Sequence, residues 1–169
     1  NQLFTMHGTT MIFLVVVPIF AGLGNYLIPL MIGAADMAFP RLNALSYWLF
    51  LFGGIVLLGS FFAAEGAART GWTGYPPLAA EVGGNGQDLW IVGLHILTLA
   101  SLFGAINFVA TIHNMRTAGM TWMRLPLFVW TMEVYALLLI LVLPALSAGL
   151  TLLLLDRQAG THFFLPDQG

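Results

Sequence analysis

The chain has 169 residues, of which 59% are hydrophobic and only 7% are charged. Soluble domains carry about a quarter of their residues as charged side chains, so this composition excludes a soluble domain. A formal net charge of −2 without a basic stripe argues against a nucleic-acid partner, and the lack of cysteine excludes disulfides and thiolate metal sites. Any cofactor must therefore be held by histidine, carboxylate, methionine or shape.

Four apolar blocks run through the sequence. They cover about residues 6–33, 42–64, 89–112 and 125–155. Each is longer than the roughly 20 residues that a membrane-spanning helix needs, and too long for barrel strands. The sequence predicts an all-α polytopic transmembrane helix bundle forming one integral-membrane domain. Pro18, Pro29 and Pro144 lie inside blocks, where they favour kinks.

The connections between the blocks differ in charge. Those after the first and third blocks carry Arg41, Arg116 and Arg124, whereas the other side of the membrane carries Arg69 and Arg157. The positive-inside rule then predicts that the first side is cytoplasmic.

The long connection between the second and third blocks is rich in Gly and Pro. It predicts either a mobile segment or an ordered cap with aromatic side chains at the membrane interface. Asp88, just before the third block, is a candidate helix N-cap.

The first block places His7 and Asn25 eighteen positions apart. On a regular α-helix this spacing is five turns, so the two residues would share a face about 27 Å apart along the axis. His7 is either an interfacial, helix-bonded histidine or an axial ligand of haem iron, which takes neutral imidazole. Gly8, followed by Thr9 and Thr10, would leave space beside the imidazole for a flat macrocycle.

Asp36 lies in the connection after the first block, in the segment GAADMAFPRLN. It is either a solvated acid paired with Arg41 or a proton collector at the mouth of a wet path. Asn25, Asn43 and Ser46 would line that path, and Asn43 and Ser46 share a helix face because they are three residues apart. Neutral amides and hydroxyls hold water without trapping charge.

The third and fourth blocks contain further polar residues. Ser101 and Asn107 would either face the same path or join helices by hydrogen bonds. His95 is expected to be a satisfied packing histidine, and His113 to end the third helix, where a cation suits the helix dipole. Glu133 must be neutral, solvated or paired to lie inside a span, and a subunit contact and an accessory proton site are both open for it.

Four segments, MHGTTMIF, GNYLIPLMIGAADMAFPRLN, GWTGYPPL and GAINFVATIHNMR, occur in this order along the chain. They resemble the core subunit of haem–copper terminal oxidases, the cytochrome c oxidase subunit I family. The resemblance implies that the chain supplies four spanning helices of a larger twelve-helix subunit. Both ends look cut, so we expect a piece of a longer protein.

The resemblance also implies roles for individual residues. His7 matches the first axial ligand of a low-spin haem of the a type, and Trp72 matches a tryptophan that lies over the haem propionates. The other matched residues belong to a proton pathway, with Asp36 as its entrance acid, Asn25 and Asn43 as its lower amides, and Ser46, Ser101 and Asn107 further along.

The function implied by the resemblance belongs to the full-length protein. Electrons would pass from cytochrome c through the low-spin haem to a haem–copper centre that reduces oxygen to water, with proton pumping. The high-spin haem and the copper would be bound outside this chain, which therefore lacks the oxygen-reduction site. Other oxidase subunits and the lipid bilayer would be its partners, in a bacterial plasma membrane. A quinol-oxidising member of the same family and a non-redox transporter are the alternatives.

The chain departs from many relatives at four positions. Ala100 stands where they have the first of two adjacent serines, so Thr98 or water would have to serve that part of the path. Leu97 replaces a serine, Ala44 replaces a second asparagine, and Glu133 replaces an apolar residue.

Overall fold

The computed structural model describes residues 1–165, and within that range the regular structure is helical, without strands. Four helices are long and apolar enough to cross a membrane: the first span Gln2–Ile32, the second Pro40–Phe62, the third Asn85–Asn114 and the fourth Leu127–Ala159. The second span is an α-helix over Pro40–Gly59 that ends in a 3₁₀ turn, Ser60–Phe62. These helices confirm the predicted all-α transmembrane bundle.

The first span is not a regular α-helix, because residues Thr10–Val16 form a π-helix. Pro18 follows this segment; it has no N–H to donate to the Leu14 carbonyl, and its ring crowds that carbonyl. A wider turn in the preceding residues accommodates the proline and changes the phase of the helix. The spacing of His7 and Asn25 therefore does not put them on one stripe, contrary to the prediction from a regular helix.

The third span is the centre of the bundle. In its most apolar stretch 44% of the residues are buried, against 11 to 17% in the other three spans. Glycines allow its close packing on the second span. A Cβ atom on Gly93 would lie 2.7 Å from the Leu57 Cβ, and one on Gly53 would lie 3.0 Å from the Leu97 Cγ. Such small residues let backbones approach in membranes.

The connections meet on two opposite sides of the bundle, as the alternation of spans predicts. On one side, the Thr117 N–H donates to the Ile32 carbonyl (2.9 Å), which joins the connection after the third span to the end of the first span, where the Asp36 loop, residues 33–39, begins. On the other side, the Gly71 N–H donates to the Thr5 hydroxyl (2.9 Å), which joins the start of the first span to the long loop, residues 63–84.

The long loop is an ordered cap, one of the two forms that the sequence left open. It contains a short helix, Leu78–Glu81, and the Arg157 guanidinium donates to the carbonyls of Ala79 (2.9 Å) and Gly84 (3.0 Å). The same guanidinium forms a salt bridge with Asp88. The prediction that Asp88 caps the third helix is wrong, because that helix begins at Asn85 and Asp88 lies in its first turn.

Candidate functional site

A cavity of about 380 Å³ lies between the four spans. Asn25, Asn43, Ser46 and Ser101, four of the six residues predicted for the proton path, line it, together with Tyr135. Tyr47 contributes a second phenol, and the remaining lining side chains are small or apolar. A space of this size with several polar groups can hold a group of water molecules.

Two of the lining side chains show which hydrogen-bonding atoms face the cavity and which are already paired. The Asn25 amide donates from Nδ2 to the Ala21 carbonyl (2.8 Å), but its Oδ1 is buried and has no hydrogen-bond partner in residues 1–165. An unpaired buried acceptor costs about 1–3 kcal/mol, so a water molecule at Oδ1 is strongly favoured. The Ser46 hydroxyl donates to the Ala100 carbonyl (2.7 Å), so Ala100 contributes a backbone acceptor where a serine would have offered a hydroxyl.

Asp36 lies outside this lining, in the loop that follows the first span. Its carboxylate is exposed and accepts from the Met37 N–H (2.7 Å). Within residues 1–165 the salt bridges do not include Asp36, so the pair with Arg41, one of the two alternatives for this acid, does not form. Asp36 is therefore an exposed, unpaired acid in the loop between the first and second spans.

Asn107 also lies outside the lining, because its amide is used to hold the Asp36 loop. Its Oδ1 accepts from the Phe39 N–H (2.9 Å), and its Nδ2 donates to the Phe39 carbonyl (3.3 Å). The Thr111 hydroxyl, one turn further along the third span, accepts from the Ala38 N–H (2.9 Å). The geometry makes Asn107 a positioning residue for the loop that carries Asp36.

His7 lies at the opposite end of the first span from the Asp36 loop. Its imidazole is exposed and takes part in none of the hydrogen bonds found in residues 1–165. Trp72 of the long loop, 42% exposed, packs on the next residue: a Cβ on Gly8 would lie 3.0 Å from the Trp72 Cδ1. The space beside Gly8 is thus filled by Trp72, which corrects the expectation that it is left open for a macrocycle.

His7 fits the role of an axial ligand better than the other span histidines do. The His95 Nε2 lies 2.9 Å from the Ser147 hydroxyl, as expected of a packing histidine, and the His113 Nε2 lies 2.7 Å from the Glu133 carboxylate. In residues 1–165 no group of three or more His, Asp or Glu side chains is placed to hold a metal ion. Among the three histidines of the spans, His7 is thus the one with a free imidazole, which suits an axial position on a haem, since haem iron can take such a ligand from a single histidine.

Two features of the site were missed from the sequence. Tyr135 was not assigned to the path, although a phenol inside an apolar span is itself unusual. Glu133 was expected to be neutral, solvated or paired, and the structure selects pairing with His113. The signal was present in the sequence, because His113 ends one span and Glu133 lies early in the next, on antiparallel neighbours.

Comparison with known proteins identifies the family of this chain. The sequence matches the family described as cytochrome c and quinol oxidase polypeptide I over residues 1–169. The chain belongs to this family. It is 52% identical over its whole length to the cytochrome c oxidase subunit 1 of Bacillus subtilis and to that of a Synechocystis species, covering 27% and 30% of their lengths. It is 46% identical, over 97% of its length, to a probable cytochrome c oxidase subunit 1-alpha of Streptomyces avermitilis, of which it covers 29%.

The chain thus spans less than a third of the length of these oxidase subunits. Its four spans and its bacterial relatives make it part of an integral protein of the plasma membrane. Membership of this oxidase family implies haem and copper as cofactors.

Proposed function

We propose that this chain is part of the catalytic subunit of a respiratory terminal oxidase, a proton-translocating cytochrome-c oxidase. In the full-length protein, a low-spin haem would accept electrons from cytochrome c, and a haem–copper centre would supply the site for reduction of oxygen to water. The observation that carries the proposal is the polar cavity, because a family member that moves protons needs a hydrated space inside its helices, and Asn25, Asn43, Ser46 and Ser101 line one.

His7 is proposed to hold the low-spin haem, of the a type, as one axial ligand. When bound, such a haem supplies a one-electron carrier whose potential depends on its axial ligands and on the polarity around it. The exposed, hydrogen-bond-free imidazole is ready for coordination. Trp72 is proposed to contact the same group, since it packs beside Gly8. The high-spin haem and the copper belong to the part of the protein that this chain does not contain.

Asp36 is proposed to collect protons from water at the mouth of the path. Its exposed carboxylate takes up a proton from solvent and passes it to water held in the cavity. The Asn25 Oδ1 and the lining hydroxyls of Ser46 and Ser101 keep water in place without binding the proton as a charge. Asn107 holds the loop backbone and so fixes where Asp36 stands.

The partners proposed for the full-length protein are other oxidase subunits, cytochrome c, oxygen and the lipid bilayer. Quinol is the alternative electron donor, because the family description itself includes quinol oxidases. Oxygen consumption by the purified full-length protein separates the two: turnover with reduced cytochrome c supports the proposal, whereas turnover with quinol alone supports the alternative. Family membership favours both over a non-redox transporter.

Haem content is the first test of the redox assignment. The full-length protein is expected to give a haem signal in a pyridine haemochrome assay, and a protein that contains no haem would end the oxidase assignment. The variant His7→Leu should lose the low-spin haem spectrum, because leucine cannot coordinate iron.

The cavity is tested by the variant Asn25→Leu in full-length protein reconstituted into vesicles. We expect slow proton uptake with an unchanged haem spectrum, because the variant removes the acceptor that holds water in the cavity. Asn114→Leu is the matched control: Asn114 makes the same bond to the carbonyl four residues earlier (2.9 Å) but is exposed at the end of the third span. Proton uptake at the wild-type rate in Asn25→Leu would remove the cavity from the path.

A further inference from the structure

Glu133 and His113 form a buried pair that the proposed proton path does not use. The Glu133 side chain is 3% exposed, and its Oε1 lies 2.7 Å from the His113 Nε2. Its second oxygen, Oε2, is buried and has no hydrogen-bond partner in residues 1–165. The His113 side chain is 46% exposed, so the pair reaches from the interior of the bundle to its surface.

The 2.7 Å contact places one hydrogen between the pair and is compatible with more than one proton count. A hydrogen must lie between Oε1 and Nε2, and an imidazolium beside a carboxylate contains as many protons as an imidazole beside a carboxylic acid. Both arrangements have no net charge. Removal of one proton leaves a buried carboxylate beside a neutral imidazole, with Oε2 still unpaired. That state has a net negative charge in a buried place, and uptake of one proton by the pair removes it.

One cation, Arg116, lies near the pair, with the Trp122 ring between it and His113. The Trp122 indole packs edge-on against His113 at 4.7 Å between ring centroids, and the Arg116 guanidinium lies 4.0 Å above the Trp122 ring. Arg124 is exposed and donates to the Gly119 carbonyl (3.4 Å), and Tyr135 lines the cavity.

We propose that Glu133 and His113 form a proton-binding site that exchanges with water on the same side of the membrane as Asp36. A hydronium ion gives its proton to the free ring nitrogen of neutral His113 and leaves as water. The proton on Nε2 is then shared with Glu133, whose charge is neutralised. The site lies on the Asp36 side, because His113 is in the last turn of the third span and Thr117, three residues beyond that span, donates to the Ile32 carbonyl. This proton-binding site does not require that protons move through the cavity.

Infrared titration of the resting full-length protein tests the site. Between about pH 5 and about pH 10, which brackets the ordinary range of histidine, we expect a carboxyl band that changes with pH and is lost in Glu133→Gln. The band should shift in heavy water, because its proton exchanges with solvent. In His113→Asn, which keeps a hydrogen-bonding side chain but cannot take up a proton, the midpoint of the band should move. Glu65→Gln, which removes an exposed carboxyl, should leave the band in place.

Two results would overturn the proposal. One is a titration in which no band depends on Glu133, and the other is a midpoint that His113→Asn does not change. If the haem spectrum shows that Glu133→Gln does not fold, the proposal is decided by two other measurements. These are the heavy-water shift of the band in the wild type and the midpoint of the band in His113→Asn. All readings are taken without electron donor, so a failure of the proton path at Asp36 would leave them unaffected.

Discussion

The two ends of the bundle are fastened in different ways. The long loop on the His7 side is held by a buried cation, since Arg157 binds both loop carbonyls and Asp88. The Asp36 loop is held by neutral groups, the Asn107 amide and the Thr111 hydroxyl, and its own acid stays in water. On the His7 side, the loop is therefore held by paired charges. On the opposite side, the Asp36 carboxylate is left unpaired and exposed, at the end of the bundle where the polar cavity begins.

The largest effect is expected from breaking the charge network. Arg157→Met should lower the free energy of unfolding by about 3–5 kcal/mol, because it leaves Asp88 and several loop carbonyls unpaired near the interior. Thermal unfolding of the full-length protein in detergent measures the change. Arg124→Met is the control, because Arg124 is exposed and makes one long hydrogen bond. Equal stability of the two variants would mean that the long loop does not depend on Arg157.

A smaller effect is expected from releasing the Asp36 loop. Asn107→Leu leaves the Phe39 N–H and carbonyl without their partner and should cost about 2 kcal/mol. Because the loop carries Asp36, proton uptake should slow as well, although Asn107 does not line the cavity. Asn114→Leu again serves as the control.

If Asn107→Leu instead lowers stability and leaves proton uptake at the wild-type rate, Asn107 joins helices and does not position Asp36. In that case the contacts that hold the Asp36 loop, like those that hold the long loop, would contribute to stability alone.

The smallest effect is expected beside His7. Gly8→Ala adds a methyl group about 3 Å from the half-exposed Trp72 ring, which can shift, so we expect a loss of about 1 kcal/mol. The low-spin haem spectrum of the full-length protein should change with it if Trp72 contacts the haem. Gly22→Ala is the matched control, because a Cβ there meets nothing within 4 Å. Identical spectra for the two variants would separate Trp72 from the haem.

The sequence predicted the four spans because long uncharged runs leave the backbone no other choice in a bilayer. It did not predict the π-helix before Pro18, since widening a turn is a local response that hydrophobic pattern does not encode. Nor did it show that Gly8 makes room for Trp72, because the partner comes from a distant loop. The role of Asn107 was hidden for a similar reason: a buried amide in a span can line a water-filled cavity or hold a neighbouring backbone, and only the fold decides.

Proton uptake in the variant Asp36→Asn tests the central claim most directly, because asparagine keeps the size of the side chain and removes only its ability to carry a proton. In full-length protein in vesicles, we predict that uptake and turnover fall by about a hundredfold, the lower end of what a positioned proton-transfer group contributes, with the haem content unchanged. Uptake at the wild-type rate would contradict the assignment of Asp36 and the cavity as the route by which protons reach the site of oxygen reduction.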